Sequence, residues 1–316
     1  MDDTEWLAKR FEERRAHLRG VAYRMLGSLA EADDAVQEAW LRLSRGDVDQ
    51  VDNLGGWLTT VVARVCLDML RSRNSRREEP LDARLPDPII GREDCSDPED
   101  AALLADSLGL ALLVVLDTLT PAERVAFVLH DMFELPFEDI APMVGRTPAA
   151  ARQLASRARR RINGAEIPDP DPDRARQRQV VDAFFAAARA GDFDSLVKVL
   201  DPDIVLRADL GPGRPPAEYR GVADVARLAR APRGAQLQPV LVNGTVGAVV
   251  TVAGRPHAIM GFVVADGKVV EIDVIADPER VRRITATALA DNKLGGHSDS
   301  ATSLSGRSRR GSTPPL

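Results

Sequence analysis

The sequence predicts a multidomain chain, with two all-α helical domains followed by a C-terminal α+β domain. Three observations predict it. Over residues 5–77 and 101–165 apolar side chains return at three- and four-residue intervals, as with Leu18, Val21, Ala22 and Met25, which is helical spacing. After that, short runs that read as antiparallel strands take over, at 204–206, 236–242, 247–252, 258–264 and 268–275. Proline-rich stretches divide these blocks, and 316 residues suffice for two or three modules, each with a core of its own.

Taken in order, the first helical block spans 5–77. The stretch 78–100 holds Pro80, Pro86, Pro88 and Pro98 among charges, so neither a helix nor a central strand persists there and it reads as a linker. In the second block, 101–165, Thr120-Pro121-Ala122-Glu123 supplies an N-cap, a proline at the first helical position and a glutamate at the third, which together make a capping box. Alternating prolines and aspartates then enforce an extended connector over 166–174. The α+β domain is expected over 175–285, opening with an amphipathic helix at 175–190. Ser, Gly, Arg and Pro dominate the last residues, so 286–316 are expected to be a disordered tail.

Composition excludes several functions. A net charge of −6 argues against a general polyanion binder, so nucleic-acid contact has to come from local basic clusters. The only two cysteines, Cys66 and Cys95, have no His or second Cys at metal-ligand spacing, so neither a metal site nor a cofactor is expected. They suit a reduced cytosolic protein, with redox sensing at Cys95 the lesser alternative. The N-terminus lacks the basic and apolar regions of a signal peptide, and the apolar run at 108–116 is too short to cross a bilayer. A cytoplasmic location without membrane contact is expected.

The most informative segment is a helix-turn-helix at 136–162. Phe137, Ile140, Ala141 and Val144 share one face of a short helix, Gly145 can end it in the left-handed conformation, and Thr147-Pro148 caps the next. In the second helix Ala151, Leu154, Ala155, Ala158 and Ile162 form the apolar stripe, which turns Arg152, Gln153, Ser156, Arg157, Arg159 and Arg160 outward. Between residues 140 and 165 stand six arginines and no acid, in a chain that is acidic overall. Arginine forks grip phosphate or guanine O6 and N7, Gln153 suits adenine, and a helix of this kind fits the major groove. A basic face kept only for solubility is the plainer reading of the arginines, and the preceding capped helix and glycine turn favour DNA.

The segment Leu18-Arg19-Gly20-Val21-Ala22-Tyr23-Arg24-Met25-Leu26-Gly27, followed by Ala32-Asp33-Asp34-Ala35-Val36-Gln37-Glu38-Ala39-Trp40-Leu41-Arg42-Leu43, resembles region 2 of extracytoplasmic-function σ factors. Trp57-Leu58-Thr59-Thr60-Val61-Val62-Ala63-Arg64 and Leu67-Asp68-Met69-Leu70-Arg71 continue the match, although Val65 stands where many relatives have Asn. Residues 120–162 resemble σ region 4. The resemblance gives the charges a meaning. Glu31, Asp33, Asp34 and Glu38 cluster without an intervening base, whereas Arg64, Arg71, Arg73, Arg76 and Arg77 face one acid, Asp68. It implies core RNA polymerase as a partner, through the β′ clamp and the β subunit, with Asp33, Asp34, Gln37 and Glu38 as its contacts. It also implies promoter DNA as a partner, read at −10 by Arg64, Arg71 and Arg73 and at −35 by Thr147 and the outward residues of the last helix. Val36, Trp40 and Leu43 are expected in the core.

The last domain resembles the cone-shaped SnoaL-like fold of the nuclear-transport-factor-2 type, which one σ subgroup carries. Gly191-Asp192-Phe193-Asp194-Ser195-Leu196, Tyr219-Arg220-Gly221 and the hairpin turn in Asp266-Gly267-Lys268-Val269 carry that likeness. Three motifs of the subgroup are present in weakened form: Leu85, Pro86 and Pro88 in the linker, Asp209, Gly211, Gly213 and Arg214 in a loop, and Asp277 with Pro278 before the last helix. In the subgroup such an extension meets the linker and tunes activity in cis without a separate anti-σ factor. A small-molecule ligand in the cone is a further partner the fold allows. Two alternatives stand beside a σ factor that catalyses nothing: a ligand-responsive DNA-binding regulator acting without polymerase, and an enzyme using Asp209, His257 and Asp273 in the cone.

Overall fold

The computed structural model describes residues 3–45, 53–76, 84–91, 109–165, 167–229, 232 and 234–290. Residues 46–52 and Cys95 lie outside them.

Three helices, α1 (Asp3–Leu26), α2 (Leu29–Arg45) and α3 (Leu54–Arg76), pack around Leu18, Val21, Met25, Val36, Leu43, Leu58 and Val62, all buried. Trp40 is half-buried and meets Phe11 at a tilt of 50°, with ring centroids 5.0 Å apart. The second helical unit comprises α4 (Leu110–Asp117), α5 (Pro121–Phe127) leading into a single π turn (Val128–Met132), α6 (Phe137–Val144) and α7 (Pro148–Asn163). Its local punctuation follows the sequence. Thr120 and Glu123 exchange both bonds of a capping box, and Gly145 takes φ +67°, a conformation that an L side chain adopts only under strain. The two units are not separate bodies. One continuous apolar core runs from Phe11 through Leu70 and Val125 to Ala158, and α3 packs directly on α5 and α6.

The C-terminal domain opens with α8 (Arg174–Ala190) and α9 (Phe193–Val199), capped by Asp173 and Asp192. Then come β2 (Leu200–Asp209), β3 (Ala217–Arg220), α10 (Val222–Leu228), β4 (Ala235–Val242), β5 (Thr245–Val252), β6 (Arg255–Ala265), β7 (Lys268–Ile275) and α11 (Pro278–Ala290). Asn243-Gly244, Ala253-Gly254 and Asp266-Gly267 form the tight turns of the β4 to β7 meander, each with two positive φ angles. The sheet order is β1-β4-β5-β6-β7-β2-β3, where β1 is the two-residue strand Ile90–Gly91.

Four features differ from the sequence reading. The sheet is mixed, because β2 enters beside β7 in parallel, through a crossover that pairing distance rather than pattern decides. Strand β3, only four residues long with half of them exposed, carries no readable alternation. The stretch expected to be a plain linker contributes the edge strand β1 (Ile90–Gly91), and residues 85–89 are all buried. The expected tail boundary at 286 falls inside α11, which continues to Ala290.

Strand alternation gives the sheet two faces. Leu206, Ala208, Phe262, Val264 and Ile272 pack under α8 to α10, where the rings of Phe184, Phe185 and Phe262 meet edge-on at 5.3–5.4 Å. Val240, Val242, Val249, Ile259 and Ile275 form the other face, covered by Leu85 of the linker and Val281 of α11, with Val114 of α4 against them. That second face is where the helical units and the C-terminal domain meet.

Candidate functional site

The recognition helix is built as its sequence requires. The Thr147 hydroxyl accepts from the Ala150 amide at 3.3 Å, and Ala151, Ala155 and Ala158 are buried, so small side chains let α7 approach α5 and α6 closely. Arg152, Gln153, Ser156, Arg157 and Arg160 are exposed. Arg159 is half-buried and donates through Nε to the Asp131 carboxylate at 2.5 Å. Arg152 lies over the Phe137 ring, 5.2 Å from its centroid. Arg161, also exposed, donates to the Thr118 carbonyl at 3.1 Å beside Glu123.

On α2, Asp33, Asp34 and Gln37 are exposed and Glu38 is half-buried. Asp33 accepts two bonds from Arg19, at 2.7 and 3.1 Å, and Glu38 accepts from Arg42 at 2.9 Å. Asp34 and Gln37 make no side-chain bond among the described residues. On α3, Arg64 and Arg71 are exposed, the latter 3.8 Å from Asp68. Arg73 is committed elsewhere: it donates to the Leu26 carbonyl at 3.1 Å and pairs with Glu31.

The linker and the C-terminal domain form the most densely bonded polar site. Arg280 of α11, buried, donates through Nε and Nη2 to Asp87 at 2.8 and 2.6 Å, through Nη2 to the Leu85 carbonyl at 2.6 Å, and through Nη1 to Asp209. Arg283 reaches the other Asp87 oxygen at 2.7 Å, to which the hydroxyl of Ser28, the residue just before α2, also donates at 3.1 Å. Asp209 accepts from the amides of Leu85 at 3.2 Å and Gly211 at 3.1 Å. Asp277 caps α11 through the amides of Glu279 and Arg280 and receives Arg84 at 2.7 Å. Burial alone raises the Asp277 carboxyl, but those amides and the Arg84 guanidinium outweigh it and hold it below the usual carboxylate range.

The first helical unit enters the same site. The Asp87 amide donates to the Gly27 carbonyl at 2.8 Å, and the Tyr23 hydroxyl donates to the Asp87 carbonyl at 2.9 Å. Asn243 in the β4–β5 turn accepts from the Ile89 amide at 2.7 Å and donates to the Tyr23 oxygen at 3.0 Å. Burial pushes the Tyr23 phenol well up, so it stays protonated as a donor.

The residues singled out in the three weakened motifs therefore divide. Leu85, Pro86, Pro88, Asp209, Gly211 and Asp277 converge at the junction. Gly211, at φ +99°, leaves room where a Cβ would stand 3.3 Å from the Asp277 carboxyl. Pro278 starts α11 with its ring exposed, and Gly213 and Arg214 point to solvent. Arg84, Asp87 and Arg280 lie inside the same motif segments and Tyr23 inside the region 2 segment, but the sequence reading gave none of them, nor Asn243, a role at this junction. Their partners lie up to 220 residues away, so no local spacing could disclose them.

Asp209, His257 and Asp273 do not assemble an active site in the cone. Asp209 and Asp273 sit on the linker-facing side of the sheet, opposite the helix-covered face, and His257 is exposed near the start of β6. Asp273 shares its burial with Glu271, and Arg207 lies 2.8 Å from Glu271 and 3.4 Å from Asp273. Burial first, and the Glu271 charge second, push the Asp273 carboxyl well above its ordinary value. Among the described residues no cluster of His, Cys, Asp and Glu could hold a metal ion, and no helix is long and apolar enough to cross a membrane.

Comparison with known proteins agrees with this layout. Residues 10–76 match the family model for Sigma-70 region 2 and residues 109–162 that for Sigma-70 region 4. The chain is 40% identical over 290 residues to the ECF RNA polymerase sigma factor SigJ of Mycobacterium tuberculosis, covering 85% of this chain and 91% of that protein. It is 43% identical over 199 residues to the probable ECF RNA polymerase sigma factor SigI of the same organism, covering 63% of this chain and 68% of SigI. The crystal structure of SigJ superposes with a TM-score of 0.67 at 37% identity, covering 86% of this chain and 97% of that one. Two σ regions folded on one core, joined by a linker bonded into an α+β domain, place this chain in the extracytoplasmic-function RNA polymerase σ factor family.

Proposed function

We propose how the residues of this chain divide the work of directing transcription initiation, the function of its family. Asp34 and Gln37, exposed and without side-chain bonds among the described residues, dock on core polymerase with Asp33 and Glu38 beside them, whose present partners, half-buried Arg19 and exposed Arg42, can exchange for those of another protein. Arg64 and Arg71 meet the −10 element. Arg152, Gln153, Arg157 and Arg160 enter the major groove at −35, with Thr147 at the N-terminus of α7 beside a phosphate and Ser156 and Arg159 flanking. Arg73 serves −10 binding only after leaving Glu31 and the Leu26 carbonyl.

The C-terminal domain regulates in cis. The observation that carries this is Asp87: a single linker carboxylate binds Arg280 and Arg283 of α11 and Ser28 of region 2 at once, so the linker cannot move unless the C-terminal domain lets go. With the control element built into the chain, regulation needs no separate anti-σ factor. A cleft of about 600 Å³ between α8, α9 and α10, lined by Arg189, Gly191, Phe193, Leu196 and Arg227, is where a small-molecule ligand would bind, since the centre of the helix-covered face is filled by phenylalanines.

In vitro transcription with core polymerase and a genomic promoter library tests the division. Asp34→Arg should abolish polymerase binding and transcripts together, whereas Arg280→Met should retain polymerase binding and change transcript yield. Transcription unaltered by Arg280→Met would remove the C-terminal domain from control.

A further inference from the structure

The cleft between α8, α9 and α10 is not the interior of the cone. Its described lining comes entirely from residues 188–196 and 223–229, and no strand contributes to it. The helix-covered face of the sheet is closed separately, by Phe184, Phe185 and Phe262. Small side chains leave the cleft open. Six of its ten described lining residues are alanine or glycine, so the space stands where larger side chains would have packed the three helices together. Its volume, about 600 Å³, falls within the roughly 300–1,000 Å³ typical of small-molecule sites.

Two properties of this cleft go unused by every role above. The first is apolar surface. Four large apolar side chains are exposed among the described residues, and three of them, Phe193, Val197 and Leu228, lie on α9 and α10. Phe193, 50% exposed, lines the cleft, Val197 shares its helix face one turn on, and Leu228 stands between the lining residues Arg227 and Ala229. Apolar surface gathered in this way marks a binding site, unlike single exposed side chains scattered over a surface. The second property is charge. The only charged side chains among the described lining are Arg189 and Arg227. Arg227 already shares the Asp224 carboxylate at 3.1 Å, whereas Arg189 makes no side-chain bond among the described residues. Asp192, placed between two lining residues, turns its carboxylate onto the amide and hydroxyl of Ser195, at 3.1 and 2.6 Å, where it caps α9. One unpaired guanidinium is left beside an apolar wall.

We propose that the cleft takes a small amphipathic carboxylate, an apolar body ending in a single carboxylate head. Arg189 pairs with the head, because a planar guanidinium offers a carboxylate two parallel N–H donors. The body lies against Phe193, Leu196 and the alanines of α10, and removes them from water. A monoanion matches the one unpaired guanidinium. A cation would meet only like charge in the lining, and a purely apolar molecule would leave Arg189 without a partner. A protein partner fits less well, because a stable interface covers about 800 Å² on each side and three exposed side chains fall short of that. The inference rests on the cleft being the ligand site, as proposed above, and adds the class of ligand.

Isothermal titration calorimetry of the full chain tests it with three probes that share one straight alkyl chain: decanoate, 1-decanol and decyltrimethylammonium. Decanoate should bind most tightly. Arg189→Gln, at an exposed position, should weaken decanoate about tenfold, the worth of one charge-assisted hydrogen bond, and leave 1-decanol unchanged. Ala223→Trp, also at an exposed position, fills the cleft and should abolish binding of all three without lowering the melting temperature. If the three probes bind alike, if the cation binds tightest, or if Arg189→Gln leaves decanoate unchanged, the cleft stands as a ligand site and the carboxylate class is refuted. If none of the three binds, or if Ala223→Trp leaves binding intact, the cleft is not the site and the inference falls with the reading it rests on.

Discussion

Replacing Arg280 by Met keeps most of the side-chain volume and removes the charge, which isolates what the guanidinium does at the junction. It leaves two buried carboxylates, Asp87 and Asp209, without their shared partner. Breaking a buried pair in this way typically destabilises by about 3–5 kcal/mol, because the uncompensated charge stays behind. Here the lower end applies. Asp87 retains Arg283 and Ser28, and Asp209 retains the amides of Leu85 and Gly211 with Arg84 3.9 Å away. A loss of about 3 kcal/mol in linker docking corresponds to roughly a 100-fold rise in local opening, since each 1.4 kcal/mol is about tenfold. Hydrogen exchange reads it residue by residue. The amides of Leu85, Asp87 and Ile89, which donate to Asp209, Gly27 and Asn243, should exchange about 100-fold faster in the variant. Amides in the centre of α7 should be unaffected. Unchanged protection at all three linker amides would refute the reasoning, because Arg280 would then not be what holds the linker. A second arm checks the sign. Arg280→Met combined with Asp209→Asn and Asp87→Asn removes the stranded charges and should recover part of the protection.

Three further predictions follow from particular side chains. Arg157→Ala should weaken promoter binding by about 1–3 kcal/mol and lessen its salt dependence in fluorescence anisotropy, whereas Arg159→Ala, already paired with Asp131, should lose less. Asp34→Arg should abolish core polymerase binding in a pull-down while leaving the circular dichroism spectrum unchanged, because the side chain is exposed and bonded to nothing in the described fold. Melting temperature should fall toward both ends of the pH scale for different reasons. Asp277, held below the ordinary carboxylate range, contributes stability that is present above that range and lost as pH falls through its lowered value. Asp273, raised by burial beside Glu271, contributes stability that is complete below the ordinary range and lost as pH rises through its raised value, so Asp273→Asn should flatten the alkaline side.

Much of this molecule is written locally. The capping box of Thr120 and Glu123, the left-handed Gly145, the Thr147 cap and the apolar stripe of α7 depend on residues within one turn of each other, so their spacing alone shows the helix-turn-helix. The same holds for the Asp266-Gly267 hairpin turn and for the acidic α2 and basic α3, whose charges are neighbours in sequence. The two σ regions, and with them the family, are legible for this reason.

The junction is not local. Arg280 meets Asp87 across 193 residues and Tyr23 meets Asn243 across 220, and nothing in the amphipathic pattern of α11 separates a buried arginine from a solvated one. The Pro-rich stretch around Asp87 reads as a free linker because prolines forbid helix there, yet the same prolines hold it extended so that its amides can pair with Gly27, Asp209 and Asn243. Arg73 looks like one more DNA-facing base until Glu31 and the Leu26 carbonyl claim it. Short-range hydrogen bonding and periodicity thus settle which helices form and which faces they offer. Which charges remain free, which are neutralised, and how the third domain grips the other two are decided only when the chain closes on itself, because a buried charge requires a partner and the fold supplies it from far along the sequence.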